Sequence, residues 1–164
     1  MQVNKCRTLY LLIASIINHI YVMKKIINRS SCPVSFSLDY LGDKWVLLIL
    51  RDLIFSDKST YGDFLTSEEK IATNILADRL KLLQENGFIE STVSPEKKNK
   101  FIYNLTDKGI DLIPVVLELM VWGSKYNPPG AAALVKAFNA DREATIQQYK
   151  DRAKTRRENA KITE

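Results

Sequence analysis

A chain of 164 residues that is 46% hydrophobic can bury one core of useful size but hardly two, so one domain with extensions is expected. The net charge of +5 and a pI near 9.1 favour a polyanionic partner, although plain solubility would account for the same excess. Two cysteines, Cys6 and Cys32, make no disulfide framework, and one histidine, His19, leaves a zinc site short of ligands. A reducing, cytosolic setting with neither metal nor cofactor is therefore expected.

Residues 1–30 form an apolar extension. Lys5 and Arg7 precede a mostly apolar run from Leu9 to Val22, interrupted by Ser15, Asn18 and His19. The run is shorter than the roughly 20 residues that span a bilayer. Its basic start suits a signal peptide, but Lys24, Lys25 and Arg29 stand where a small-residue cleavage site should be. Three readings stay open, in this order: translation that begins at Met23, an extra dimer-packing helix, and a membrane anchor. No membrane partner is expected.

From Cys32 the pattern is regular. Pro33 suits a first helical position and Gly42 a stop, so a short helix is predicted over Val34 to Leu41. A second runs from Asp43 or Lys44 to about Ile54, and its Trp45 to Leu50 stretch, apolar nearly all round, must be central. After a loop at Phe55 to Ser59, Thr60 and Asp63 make a capping-box start for a third helix, Tyr61 to about Ser67. A fourth occupies Thr73 to Glu85 and stops at Asn86-Gly87. Phe88 to Ser94 and Phe101 to Leu105 alternate as two strands around the loop Pro95 to Lys100. Thr106-Asp107 caps a long helix from Lys108 to about Tyr126, with Pro114 near its first turns. Asn127 to Gly130 breaks the chain, and Ala131 to about Ala160 reads as helical and weakly amphipathic, with Lys150, Arg152, Lys154, Arg156 and Arg157 clustered. The expected organisation is an extension over 1–30, a domain over 31–127 and a basic helical tail over 128–164.

Spacing residues of the fourth helix at 100° divides it into two faces. Ile75, Leu76, Leu80, Leu82 and Leu83 share the half that faces the core, while Thr73, Asn74, Ala77, Asp78, Lys81, Gln84 and Glu85 share the other. The first turns of a helix laid in the major groove reach base edges, which makes Thr73, Asn74, Ala77, Asp78 and Lys81 the groove-facing set. An ordinary solvated face would look similar. Arg79 falls in the apolar arc and should pair with a carboxylate or snorkel. Lys97, Lys98 and Lys100 would lie along phosphates, and Ser59, Thr60 and Tyr61 at the third helix's start could add contacts. The fold class is mainly α with a small β-hairpin wing, a dimeric winged helix-turn-helix.

Cys32-Pro33, Leu41-Gly42-Asp43-Lys44-Trp45, Leu48 to Leu53, Tyr61-Gly62-Asp63-Phe64, Ile71 to Leu83, Asn86 to Ile89, Tyr103 to Gly109 and Trp122-Gly123 follow one another in a pattern that resembles the HxlR-type transcriptional regulators. The resemblance spans about Cys32 to Trp122. It implies a MarR-related homodimer that binds pseudo-palindromic operators in double-stranded DNA, most simply as a repressor. Many members carry serine where Ala72 stands, so the recognition helix here must rely on Thr73 or go uncapped. The resemblance also implies dimerisation through the N-terminal region and the last long helix. Ile110, Ile113, Leu117 and Met120 form one stripe of that helix, taken as the dimer contact, and Leu112, Val116 and Leu119 form another. Some members sense small electrophiles or oxidants through a cysteine at the position of Cys32, where a helix dipole favours an anion.

An enzyme is not expected, because no glycine-rich phosphate loop and no nucleophile, histidine and carboxylate set is present. The stronger rival is a winged-helix module that binds only protein.

Overall fold

The computed structural model describes residues 30–95, 99–127 and 131–162. The readings placed on residues 1–29, on Lys97 and Lys98 and on Pro128 to Gly130 lie outside the described residues. The chain divides into two units, Met1–Gly42 and Asp43–Glu164. In the first, helix α1 (Pro33–Leu41) carries proline in its first turn and Cys32 at its N-cap, as the sequence predicts. Phe36 and Tyr40 meet edge-on at 5.2 Å, and Val34, Phe36 and Leu38 are exposed.

The second unit is built on α2 (Lys44–Phe55), whose Val46, Leu50 and Leu53 are fully buried. The Asp43 side chain caps it, accepting from the Trp45 N–H at 2.8 Å. Helix α3 (Tyr61–Leu65) begins with the predicted capping box of Thr60 and Asp63, and it ends two residues early at a Thr66 C-cap. Helix α4 (Thr73–Glu85) has the expected bounds and buries Leu76, Leu80 and Leu83. It stops because Gly87 takes φ +71, a left-handed turn that a side chain would strain.

Strands β1 (Ile89–Val93) and β2 (Phe101–Leu105) pair antiparallel, Ile89 opposite Leu105 and Val93 opposite Phe101. Thr60 bridges to Ile102, and the Tyr103 N–H donates to the Ser59 carbonyl at 2.7 Å, so the hairpin is fastened to the entry of α3.

The predicted last long helix is two: α5 (Asp107–Ile110) and α6 (Ile113–Ser124). Pro114 explains the break, since it has no N–H for the turn before it and its ring clashes with the carbonyl four residues back. Gly109 of α5 packs so tightly on the hairpin that a Cβ there would lie 2.1 Å from the Phe88 carbonyl oxygen. The tail is also two helices, α7 (Ala132–Ala140) and α8 (Arg142–Ile162). Asp141 interrupts them in an extended conformation and accepts from the Ala144 N–H at 2.9 Å.

Ile110, Ile113 and Leu117, assigned from sequence to a dimer contact, are instead buried in this subunit's own core, and Met120 is half-buried. Of the second stripe, Val116 is buried as well, Leu112 is half-buried and Leu119 is exposed. The 111–112 break and the packing of α5 on the hairpin turn the first stripe inward.

A polar cluster holds the turn between α3 and α4. Asp52, 3% exposed, accepts a hydrogen bond from the Ser67 hydroxyl, which in turn accepts from Lys58 Nζ at 2.7 Å. Arg51 grips Asp52 through Nε at 3.0 Å and reaches both carboxylate oxygens of Glu69. The Arg51 guanidinium draws the Glu69 carboxyl from 4.5 down to about 2 against a smaller opposing effect of burial. A depressed folded value contributes stability above the ordinary carboxylate range that is lost as pH falls through it. The stability difference between the parent chain and Glu69→Gln should therefore hold near neutrality and vanish as pH falls from 4.5 to about 2, measured by denaturant unfolding at each pH.

Ala72 stands at the N-cap of α4 with extended backbone (φ −68, ψ 144) and no side-chain cap. Ala72→Ser should add about 1 kcal/mol of stability by capping a free N–H, visible as a raised unfolding midpoint.

Candidate nucleic-acid interface

The turn cluster and two further ties aim α4. Arg79 pairs with Asp43 at 2.7 Å, the carboxylate partner expected for it, so one side chain caps α2 and anchors α4. Partial burial pushes the Asp43 carboxyl up. Hydrogen bonds from Arg79 and from the Trp45 N–H outweigh that and leave it below the ordinary carboxylate range. Tyr61 donates its hydroxyl proton to the Thr73 carbonyl at 2.7 Å, which ties the start of α3 to the start of α4.

With α4 held in this way, Thr73, Asn74 and Ala77 are exposed, and Asp78 and Lys81 are half-buried. Lys81 Nζ lies 3.7 Å from Glu85 one turn on, a loose pair that a phosphate can displace. The uncapped first turn leaves backbone N–H groups pointing outward, a feature that binds anions.

The three residues expected at the entry to α3 have different duties. Thr60 is buried, and its hydroxyl is committed to the Asp63 N–H, so it does not contact phosphate. Tyr61 is half-buried with its hydroxyl proton engaged. Ser59 is half-buried and lends its N–H to Asp63 at 3.2 Å. Burial raises the Asp63 carboxyl, but the bonds from Thr60 and Ser59, with Lys100 nearby, leave it lowered overall. The Thr60 and Tyr61 hydroxyls and the Ser59 backbone thus serve the frame.

Lys100 is exposed, and the Ser94 N–H donates to its carbonyl at 2.7 Å, closing the hairpin beneath the loop. Between the wing and α3 runs a groove lined by Tyr61, Gly62, Asn99, Lys100 and Phe101. The groove thus opens between the hairpin and the start of α3, which Tyr61 ties to the start of α4. Sequence reasoning missed Gly62, Asn99 and Phe101, because grooves between distant segments leave no local signal. Among the described residues no cluster could hold a metal ion, and no helix is long and apolar enough to cross a membrane.

Comparison with known proteins agrees with this geometry. The HTH-type transcriptional regulator YodB of Bacillus subtilis is 33% identical over 103 residues, covering 62% of this chain and 91% of YodB. The HTH-type transcriptional regulator YdeP of the same organism is 36% identical over 95 residues, 58% of this chain and 73% of YdeP. Among solved structures, the redox regulator HypR in its reduced form superposes with a TM-score of 0.53 at 28% identity, covering 59% of this chain and 95% of HypR. The profile of the HxlR-like helix-turn-helix family matches residues 40–131, so the chain belongs to that family of winged-helix transcriptional regulators.

Proposed function

We propose that this protein is a sequence-specific repressor that binds a pseudo-palindromic operator as a homodimer. The observation that carries the reading is the pairing of an exposed, uncapped α4 face with a cationic hairpin, both fastened to one frame. Asn74 reads adenine through its amide, Ala77 and the Thr73 methyl meet thymine methyls, and Asp78 and Lys81 follow one turn deeper. Lys97, Lys98 and Lys100 hold phosphate and carry the salt-sensitive share of affinity.

Two-fold symmetry needs an apolar partner surface. Val115, Leu119, Trp122 and Tyr126 form an exposed stripe along α6 and just beyond it, spaced by four, three and four residues. The Trp122 and Tyr126 rings meet within it at 5.2 Å, tilted by 51°. This stripe replaces the buried Ile110, Ile113 and Leu117 as the dimer contact, with half-buried Met120 at its edge. A dimer so formed must set its two α4 helices about 34 Å apart to meet successive major grooves.

Cys32 supports a second layer of control. It is a free, exposed thiol at the N-cap of α1, and its own side chain makes no capping bond. Its reaction with an oxidant or small electrophile would place a bulky or charged group at the head of a helix whose exposed Val34, Phe36 and Leu38 suit a dimer contact.

Asn74→Ala should weaken operator binding by about 1 to 3 kcal/mol while sparing random duplex, as read by fluorescence anisotropy. Lys100→Ala should weaken both alike and flatten the slope of log affinity against log salt by roughly one. Equal loss on both duplexes for Asn74→Ala would strike it from the base readers, and no duplex binding at all would favour a protein-binding module.

Cys32→Ser should keep operator affinity and no longer release DNA on treatment with diamide or methylglyoxal. Release by the variant would assign sensing elsewhere.

A further inference from the structure

The tail helix α8 lies on the winged-helix region by an unusual kind of contact. Of its described side chains only Thr145, Ile146 and Ala153 are buried. Instead, six of its cations face five carboxylates. Arg142 pairs with Glu118 and Lys150 with Asp111, Arg152 and Arg156 with Asp57, Arg157 with Asp107, and Lys161 with Glu90 at 2.8 Å. Such pairs, mostly at the surface, are weakened by salt.

Tyr149 meets Phe55 edge-on at 5.1 Å and Arg156 donates to the Leu53 carbonyl, but toward the hairpin the surface beneath is polar and poorly matched. Alternation along the hairpin turns Ile89, Tyr103 and Leu105 toward the core and sets Glu90, Thr92, Ile102 and Asn104 on the opposite side, where Lys161 of α8 arrives. Asn104 is wholly buried, yet neither its amide nitrogen nor its amide oxygen has a hydrogen-bond partner. The Thr92 hydroxyl and Arg156 Nε are likewise sealed without partners. Burial pushes the Arg156 guanidinium below its ordinary range, against the pull of Asp57. Unsatisfied polar groups under a lid held by screenable charges mark a segment that opens easily.

Charge is divided along the same line. Residues 31–131 carry 11 Lys and Arg against 14 Asp and Glu, whereas residues 132–164 carry 8 against 5. The region that holds the α4 face is thus acidic in itself, and α8 neutralises five of its carboxylates. Asp57 stands two residues from Ser59, and Glu90 is on the wing.

We propose that α8 is a displaceable, phosphate-responsive cover of the wing. In free protein it lies on Asp57, Glu90 and Asp107. When a duplex binds, its cations exchange these scattered carboxylates for the denser phosphate backbone beside the operator, and water reaches Asn104 and Thr92. The identity of the polyanion rests on the DNA-binding reading above; the docking chemistry does not.

Hydrogen exchange on the full chain tests this. Amides of residues 145–160 should exchange about tenfold faster when NaCl rises from about 50 to about 500 mM, while those of α2 stay unchanged. At low salt, a saturating 40-base-pair duplex, or inorganic polyphosphate alone, should speed the same amides. Lys154→Gln removes an exposed cation that makes no ion pair among the described residues. It should leave exchange in the free protein unaltered and lower the salt slope of duplex binding by roughly one. Tail amides as protected as those of α2 and indifferent to salt, bound duplex and polyphosphate would overturn the proposal and leave the DNA interface standing. Release by polyphosphate with no duplex binding would instead sustain the cover and overturn its assignment to DNA.

Discussion

The placing of α4 depends on a buried carboxylate, Asp52, and what it holds in place. The turn between α3 and α4 places Lys70 at φ +51, a left-handed conformation that costs a residue with a side chain about 1 kcal/mol or more. Nothing apolar in that turn repays the strain apart from Ile71. The compensation comes from α2: Asp52 takes the Ser67 hydroxyl on one side of Lys70, and Arg51 takes Glu69 next to it. Since α2 is the central helix of the core, the turn inherits its rigidity, and α4 leaves the turn in one direction. Breaking the buried end of such a network leaves a carboxylate without its donors, which is far more costly than losing an exposed pair.

The same economy of ties joins the wing to the helices. Ser59 contributes its carbonyl to β2 and its N–H to Asp63, so a single residue couples the hairpin to the α3 capping box. Thr106 donates to the Gly87 carbonyl at 2.6 Å and caps α5 through the Gly109 N–H, fixing the far end of α4 against the far end of the hairpin. Helix α4 and the hairpin are therefore tied to each other at both ends by hydrogen bonds through Ser59 and Thr106. Preorganisation of that kind favours discrimination between sequences, because less ordering cost is shared by right and wrong sites.

Local signals made most of this legible in the sequence. The Thr60–Asp63 box, the Gly87 stop, the β-hairpin alternation and the inward face of α4 each rest on residues a few positions apart, and each falls where expected. Arg79 could be read as a pairing residue because its position in an apolar arc is itself a local fact. The losses are all long-range. The Asp52 cluster joins residues 15 apart, with nothing in either segment to announce the other. Which stripe of the last helix faces the core depended on how Pro114 divides it and on Gly109 meeting the Phe88 carbonyl. Thr60 and Tyr61 read as phosphate ligands because hydroxyls at a helix start suit both framing and binding, and only tertiary partners separate the two.

Charge had to be read by region as well as in sum. A net +5 invites the thought of a basic DNA-binding domain, but the family-matched region carries more acids than bases. Among the described residues Lys81 stands on α4 and Lys100 at the end of the hairpin loop, whose sequence also holds Lys97 and Lys98, while Asp57, Asp107, Asp111 and Glu118 are met by α8. Within a Debye length of about 8 Å at physiological salt, a phosphate responds to the nearest charges and is largely screened from the rest. Local placement, together with the pairing of these carboxylates by the tail, therefore shapes the field at the surface more than the total charge does. Without the tail, those four carboxylates would lose these cations and the winged-helix region would keep its excess of acids.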